Sequence, residues 1–122
     1  MENPVLIFGA TTLGRTALDI FAGNGVAVYG FLDDDPATHG VEIGEVSVLG
    51  STDDDGFLKL IGRKCEAFVA VEDVALRRGL VKMLHDRRHV MPVNAVHPSA
   101  LLSPGASLGH GTLVGVGAIV NT

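Results

Sequence analysis

The stretch from Val96 to Thr122, VHPSALLSPGASLGHGTLVGVGAIVNT, repeats with a period of six residues. Branched aliphatic side chains occupy one position of the repeat: Val96, Leu102, Leu108, Val114 and Val120. Small side chains stand four residues after them: Ala100, Ala106, Thr112 and Ala118. Neither a helix, with its 3.6-residue period, nor a strand, with its two-residue period, produces this spacing. Short repeats that wind a parallel β-helix do produce it, with the aliphatic side chains pointing inward.

The repeat resembles the left-handed β-helix of hexapeptide acyltransferases, in which three hexapeptides close one coil. Only the first coils fit between Val96 and Thr122. A solenoid needs several stacked repeats to bury its core, and its terminal repeats need caps. We therefore expect the chain to be the front part of a longer protein or a natural remnant of one. The alternative is a Gly/Pro-rich apolar tail that forms irregular strands.

Length and composition describe one globular domain. The chain has 122 residues, of which 47% are hydrophobic, and this is enough for a buried core. No apolar run approaches the roughly 20 residues of a membrane span, and the N-terminus lacks the basic start of a signal peptide. The single cysteine, Cys65, cannot form an internal disulfide, and we expect it to be a small core residue. These features predict a cytoplasmic protein with no membrane partner.

The charge distribution argues against nucleic acid as a partner. The chain carries 14 acidic and 9 basic residues, a net charge of −5, and contains no recognisable DNA- or RNA-binding motif. Five basic residues fall on one predicted helix: Arg77, Arg78, Lys82, Arg87 and Arg88. The simplest interpretation of this cluster is a solvated helix face.

Strand and helix patterns alternate before residue 93. All-apolar runs predict buried strands at residues 5–8, 26–32 and 67–71, and glycine-punctuated residues 36–50 predict a hairpin or edge strand. A helical pattern follows the first of these strands, with inward side chains at Leu13, Ala17, Ile20 and Phe21. Another follows the last strand, with inward side chains at Leu76, Leu80, Met83 and Leu84. A third helix begins after capping residues 51–55 and stops near Gly62. The alternation predicts an α/β fold with a small doubly wound parallel sheet.

The glycine loop from Gly9 to Gly14 follows the first predicted strand and opens the first predicted helix. Unpaired N–H groups and the helix dipole make such a place an anion site. The dinucleotide fingerprint requires glycine where Thr11 stands, which weakens an NAD interpretation. The loop also nearly matches a P-loop, but Arg15-Thr16 replaces the Lys-Ser/Thr pair of that motif. A purely structural glycine turn is the remaining interpretation.

Two aspartates, Asp33 and Asp34, follow the second predicted strand. The carboxyl ends of neighbouring parallel strands meet at one edge of a sheet, where open α/β sheets bind their ligands. Carboxylates at this edge can accept hydrogen bonds from ribose hydroxyls or from a base N–H. The sequence therefore predicts that the glycine loop and this pair of aspartates line one site.

Four segments in one order carry a family resemblance over the whole chain. They are the glycine loop, residues 31–35, residues 46–50 and His97-Pro98-Ser99-Ala100. They resemble the sialic acid O-acetyltransferases and UDP-4-amino-sugar N-acetyltransferases, the NeuD-type hexapeptide acyltransferases. The resemblance implies a Rossmann-like nucleotide-sugar-binding domain at residues 1–92, a parallel sheet with flanking helices. It also implies a linker and the first repeats of a truncated left-handed β-helix at residues 93–122.

The resemblance assigns a site residue by residue. The phosphates of a nucleotide sugar, with a UDP-sugar as the first candidate, would be lined by Gly9, Ala10, Thr11, Thr12 and Gly14. The nucleoside would be read by Asp33 and Asp34. Leu13 differs from the family pattern because it stands where a histidine is usual. Glu72-Asp73 differs because it replaces glycine-asparagine, and we expect both acids to face the crevice that holds the diphosphate.

The resemblance also describes the full-length parent, which would be a homotrimer that uses acetyl-CoA and a histidine beyond residue 122. His110 lacks the acid and cysteine that accompany this histidine in the family, so we interpret it as a turn residue. His85 and His89 lie one helical turn apart without a third ligand, so no metal site is predicted. We expect the chain by itself to have no catalytic residues, no acetyl-CoA and no activity.

An alternative function is a non-catalytic Rossmann-like module that binds NAD(P), CoA or no ligand in a regulatory or assembly role. The departures at Leu13, Glu72 and Asp73 favour it. In either case an open final coil would expose an apolar strand edge at Val114, Val116, Ile119 and Val120. We expect residues 96–122 to be ordered by docking on their own domain or by self-association with a second copy, and to fray otherwise.

Overall fold

A computed structural model describes residues 2–121; Met1 and Thr122, at the ends of the predicted ranges, lie outside the described residues. The strands before the repeat are β1 (Val5–Phe8), β2 (Val28–Leu32), β3 (Glu42–Ile43), β4 (Val46–Gly50) and β5 (Glu66–Val69). The helices are α1 (Thr12–Gly23), α2 (Asp55–Leu58) and α3 (Val74–Met83), and one π turn (Leu84–Arg88) continues α3. The repeat segment contains β6 (Ala95–Val96), β7 (Leu101–Leu102), β8 (Leu113–Val114) and β9 (Ile119–Val120).

One five-stranded sheet organises the first part of the chain, with the strand order β3-β4-β2-β1-β5. The β1–β2, β1–β5 and β2–β4 pairs are parallel, and only the β3–β4 hairpin is antiparallel. The prediction of an α/β fold with a mainly parallel sheet and flanking helices is therefore confirmed. No helix within residues 2–121 is long and apolar enough to cross a membrane.

Apolar side chains cover the sheet on both faces, which explains why β1 is apolar at every position. Val5 and Ile7 pack toward α1, whereas Leu6 and Phe8 pack toward α2 and α3. All four side chains are at most 2% exposed. On the α1 face, Phe21 and Phe68 meet edge to face with ring centroids 5.6 Å apart. Each face thus carries its own apolar cluster, and β1 lies at the centre of both.

The prediction that Leu76 packs inward is wrong. Leu76 lies in the first turn of α3 and is 45% exposed, outside the cluster that contains Leu80 and Leu84. β5 ends at Val69, so the first turn of α3 has no continuing strand to cover. Helical periodicity identifies the inward stripe but does not show where the underlying sheet ends.

The repeat segment pairs with itself at a fixed offset. β6 is parallel to β8, and β7 is parallel to β9. Two polar side chains accept hydrogen bonds from the backbone 18 residues further along the chain. Asn94 Oδ1 accepts from the Thr112 N–H at 2.8 Å, and Ser99 Oγ accepts from the Gly117 N–H at 2.9 Å. An offset of 18 residues corresponds to three successive six-residue repeats.

The repeat segment docks on the α1 face of the sheet. Ala95 is fully buried in the cluster beneath α1, and the Val93 N–H donates to the Ala67 carbonyl oxygen at 2.8 Å. Asn24, just after α1, donates from Nδ2 to the Val96 carbonyl oxygen at 2.7 Å. The prediction that Val114 is exposed is wrong, because this side chain is only 5% exposed. Its burial results from the pairing of β8 with β6, which is docked on the domain. Val116 and Ile119 are exposed, as expected, whereas Val120 is half-buried. The prediction that Leu102 points inward is wrong, since this side chain is 45% exposed.

Cys65 is fully buried directly before β5, as the sequence indicated. Burial raises the pKa of its thiol above the ordinary value of 9.0, and the carboxylate of Glu66 raises it further. A raised pKa in the folded state contributes stability that is complete below the unfolded pKa and is lost as the pH rises through the folded pKa. The window for this effect therefore begins near pH 9.

We expect Cys65→Ala to remove this pH dependence. At neutral pH the variant should be less stable than the unmodified protein by about 1 kcal/mol because it loses buried volume. The difference should shrink as the pH rises from 8 to 10, since only the cysteine protein is destabilised by thiolate formation. Urea titrations at intervals across this range measure it. A constant difference from pH 7 to pH 10 would contradict the prediction.

Candidate functional site

A cleft of about 390 Å³ lies at the carboxyl ends of the central strands. It is lined by Gly9, Thr11, Thr12, Asp33, Asp34, Thr52, Ala70, Val71, Glu72 and Leu76. These residues follow β1, β2, β4 and β5 or begin a helix. β2 lies on one side of β1 in the sheet and β5 lies on the other side. The cleft therefore lies at the point where the strand order reverses. Open α/β sheets bind ligands at such points.

Two glycines bring α1 against the end of β1. Gly9 has a φ of +107°, and a Cβ placed on it would lie 2.4 Å from the Ala70 carbonyl oxygen. A Cβ on Gly14 would lie 2.0 Å from the Gly9 carbonyl oxygen. Real Cβ atoms do not approach oxygen this closely, so both positions require glycine. The first turn of α1 is consequently held at the floor of the cleft.

The amino end of α1 offers backbone donors to this cleft. Its N-cap residue, Thr11, makes no side-chain hydrogen bond to the helix, and the first turn contains no acidic residue. The first N–H groups of a helix have no partner within the helix, and the helix dipole is positive there. Thr11 and Thr12 line the cleft at this end. The arrangement therefore favours an anionic group beside them.

Asp33 ties the end of β2 to the glycine loop. Its Oδ2 accepts from the Ala10 N–H and its Oδ1 from the Asp35 N–H, both at 2.8 Å. Each carboxylate oxygen already has one backbone partner and retains capacity for a second. Asp33 thus holds the shape of the glycine loop, a role that the sequence did not indicate.

Asp34 is oriented by a residue that sequence reasoning missed. Thr52, which follows β4 and is only 9% exposed, donates its N–H to Asp34 Oδ1 at 2.9 Å. Its hydroxyl lies 2.8 Å from Oδ1 and 3.0 Å from Oδ2. The sequence suggested residues 51–55 as helix caps, but the cap of α2 is Asp54. The local sequence pattern contains no signal for this contact, because it depends on the parallel pairing of β2 and β4, which places their carboxyl ends side by side.

The positions that depart from the family pattern behave differently from one another. Glu72 lines the cleft, as expected. Asp73 does not line it; its carboxylate caps α3 by accepting from the Leu76 N–H at 2.8 Å. Leu13 packs against the core cluster under α1. Arg15 is exposed and does not line the cleft, so it does not act there as a P-loop lysine would.

The cleft is rich in carboxylates. Asp33, Asp34 and Glu72 line it, and none of its lining residues is lysine, arginine or histidine. His39 lies beside the cleft, since its Nε2 is 2.7 Å from the main-chain carbonyl oxygen of Asp33. By contrast, His85 contacts Asp86, His89 ends the π turn with a φ of 57°, and His110 is exposed. Within residues 2–121 no group of three or more His, Cys, Asp or Glu side chains is arranged to hold a metal ion.

The family is shown by a sequence-model match to the PglD N-terminal domain over residues 4–84. The chain therefore belongs to the PglD N-terminal domain family, and the resemblance to the NeuD/PglD-type acyltransferases is confirmed. A comparison with curated protein sequences found no match.

Solved structures of acetyltransferases share the fold over nearly the whole chain. A mutant of perosamine N-acetyltransferase from Caulobacter crescentus, in complex with CoA and GDP-perosamine, is 29% identical with a TM-score of 0.81, covering 98% of this chain and 54% of that one. PerB from Caulobacter crescentus, with the same ligands, is 27% identical with a TM-score of 0.78, covering 99% and 64%. The acetyltransferase domain of PglB from Neisseria gonorrhoeae, at 23% identity and a TM-score of 0.78, covers 97% and 56% and supports the fold alone. The chain thus spans between half and two thirds of these relatives.

Proposed function

We propose that this chain is the N-terminal, nucleotide-sugar-binding part of an acetyl-CoA-dependent sugar N- or O-acetyltransferase. The observation that carries the proposal is the cleft at the reversal of strand order, with backbone donors of α1 on one side and Asp34 oriented by Thr52 on the other. The family match and the perosamine N-acetyltransferase, whose structure contains GDP-perosamine and CoA, support it.

Each site residue receives a role in this proposal. The diphosphate lies beside Gly9, Thr11 and Thr12, which line the cleft at the start of α1. Ala10 and Gly14 are buried and do not line the cleft; they support the loop beneath the diphosphate, Ala10 through its bond to Asp33 and Gly14 through its contact with Gly9. Asp34 accepts hydrogen bonds from the nucleoside, and Asp33 does so with its remaining acceptor capacity while it holds the loop. Both GDP- and UDP-linked sugars fit these donors and acceptors.

The carboxylates of the cleft favour an amino sugar. Like charges about 4 Å apart repel by roughly 1 kcal/mol in water and nearer 4 at an effective dielectric of 20. No basic side chain lines the cleft to offset this repulsion from a diphosphate. A protonated amine on the sugar offsets part of it, and the same amine becomes an acetyl acceptor once a base has removed its proton.

The second part of the proposal concerns residues 93–122. We propose that they begin a left-handed β-helix which, in a longer cytoplasmic parent, forms the trimer, the acetyl-CoA site and the catalytic histidine. The parallel pairs at an offset of 18 residues support this, because three hexapeptides make one coil. The proposed boundary near residue 93 separates two functions. It does not separate two cores, since Ala95 is buried under α1.

Calorimetry with GDP- and UDP-linked amino sugars tests the binding part. We expect one of the two nucleotides to bind, and Thr12→Glu to weaken binding by about tenfold to hundredfold, because the new carboxylate lies beside the diphosphate. Thr16→Glu is the matched control, since Thr16 is exposed one helical turn further along α1 and outside the cleft. It should bind within about twofold of the unmodified chain.

Calorimetry also decides between this proposal and a non-catalytic module. Binding of NAD(P) or CoA with no heat from either nucleotide sugar at millimolar concentration would favour the module. Equal binding by the Thr12→Glu and Thr16→Glu variants would remove the glycine loop from the site.

A further inference from the structure

A second groove, separate from the cleft, lies between α3 and the start of the repeat segment. Its volume is about 560 Å³, within the range of small-molecule sites. α3 forms one wall with Arg77, Arg78 and Lys82, and His110 lies on the opposite wall. No residue lines both the groove and the cleft.

The arginine and lysine side chains between positions 77 and 88 form two groups that differ in what they contact. Arg87 pairs with Asp55, the first residue of α2, at 3.1 Å. Arg88 donates to the carbonyl oxygens of Ile61 and Lys59, in the loop after α2, at 3.0 Å. The others line the groove. Four of the five side chains are exposed, in agreement with the predicted solvated helix face, and Arg88 is half-buried.

Two guanidinium groups in the groove have no acidic partner in the described chain. Lys82 pairs with Asp86, whereas Arg77 and Arg78 form no ion pair within residues 2–121. Two adjacent cations without counter-charges, on a chain with a net charge of −5, create a local field that attracts anions. Arginine presents a planar fork that matches two phosphate oxygens at once.

The groove also has an apolar side. Val81 is half-buried, Pro92 is buried, and Met91 is 39% exposed at the rim. A thioether at such a position packs well against an aromatic ring. A ligand that satisfies both sides carries phosphate at one end and an apolar or aromatic group at the other.

We propose that this groove is a binding site for a nucleoside phosphate, with the phosphates held by Arg77 and Arg78 and the base packed against Val81 and Met91. The concave shape and the volume favour a small ligand over an extended polyanion or a protein surface. The site is independent of the nucleotide-sugar cleft and does not rest on the proposed function.

Amide chemical shifts of the unmodified chain, titrated with ADP and with pyrophosphate, locate the site. We expect ADP to shift the amide signals of residues 77–82 and of Met91, whatever it does at residues 9–14. Arg77→Glu/Arg78→Glu should weaken ADP binding at this groove by about tenfold or more, because two charge-assisted contacts become repulsive. Arg63→Glu/Lys64→Glu is the matched control, since it makes an equal change of charge at exposed residues outside the groove. This variant should bind ADP at the groove within about twofold of the unmodified chain.

A separate variant tests the apolar side. Met91→Ser should weaken ADP binding by about threefold and leave pyrophosphate binding unchanged, since only the base contacts this side chain. Shifts confined to residues 9–14 and 33–34 would overturn the groove site and leave the proposed function standing. Equal affinities for ADP and pyrophosphate would overturn the assignment of a nucleoside to the groove.

Discussion

Replacing Gly14 with alanine is expected to lower the free energy of unfolding by about 3 kcal/mol, near the upper end of overpacking effects. The added Cβ would lie 2.0 Å from the Gly9 carbonyl oxygen, which belongs to the backbone and cannot rotate away. Relief requires α1 to shift from the end of β1, which also reshapes the floor of the cleft. Urea denaturation gives the stability change, and calorimetry with the nucleotide sugar should show binding lost in parallel.

Gly79→Ala is the matched control, since it also replaces a helical glycine by alanine. A Cβ on Gly79, in α3, meets nothing within 4 Å. Alanine forms helices better than glycine does, so this variant should gain about 0.5–1 kcal/mol. Opposite signs for the two substitutions would establish that contact with Gly9, and not helix propensity, decides the result at Gly14. A Gly14→Ala variant as stable as the unmodified chain would refute the close approach.

Local patterns were sufficient to predict the central sheet. The run from Val5 to Phe8 is apolar at every position because β1 is covered on both faces. The glycine loop after it marks the turn into α1, since Gly9 and Gly14 leave no room for a side chain. Hydrophobic periodicity and turn-forming residues are properties of short segments, so they can be recognised in the sequence without a structure.

Contacts between distant segments could not be predicted in the same way. The bonds from Thr52 to Asp34 and from Ala10 to Asp33 join residues that are 18 and 23 positions apart. They depend on the strand order, which local periodicity does not specify. The same limit explains the error at Val114, whose burial results from pairing between β6 and β8.

Roles within a cluster of like residues also needed the structure. Asp73 and Glu72 are adjacent acids, yet one caps α3 and the other lines the cleft. The sequence places both after the third buried strand, but the exact start of α3 decides which of them turns toward the helix. The number of carboxylates that line the cleft follows from that boundary, and the amino-sugar proposal depends on this number.

Replacing Asp33 with alanine is expected to lower the free energy of unfolding by about 3 kcal/mol. The substitution removes two hydrogen bonds from backbone N–H groups to a carboxylate, those of Ala10 and Asp35. Hydrogen bonds to charged groups contribute roughly 1.5–3 kcal/mol each, and the half-buried position of Asp33 places this pair near the lower end. Because Ala10 belongs to the glycine loop, the variant should also lose affinity for the nucleotide sugar.

Asp33→Asn separates the two bonds. The asparagine oxygen can still accept from one N–H group, but its amide nitrogen cannot accept from the other, so this variant should fall between Asp33→Ala and the unmodified chain. Asp53→Ala is the matched control, since Asp53 is exposed and makes no side-chain hydrogen bond within residues 2–121; its stability should change by less than about 0.5 kcal/mol. Urea titrations of all four proteins measure the series. If Asp33→Ala is as stable as Asp53→Ala, Asp33 does not hold the loop, and its carboxylate is then free for the nucleoside alone.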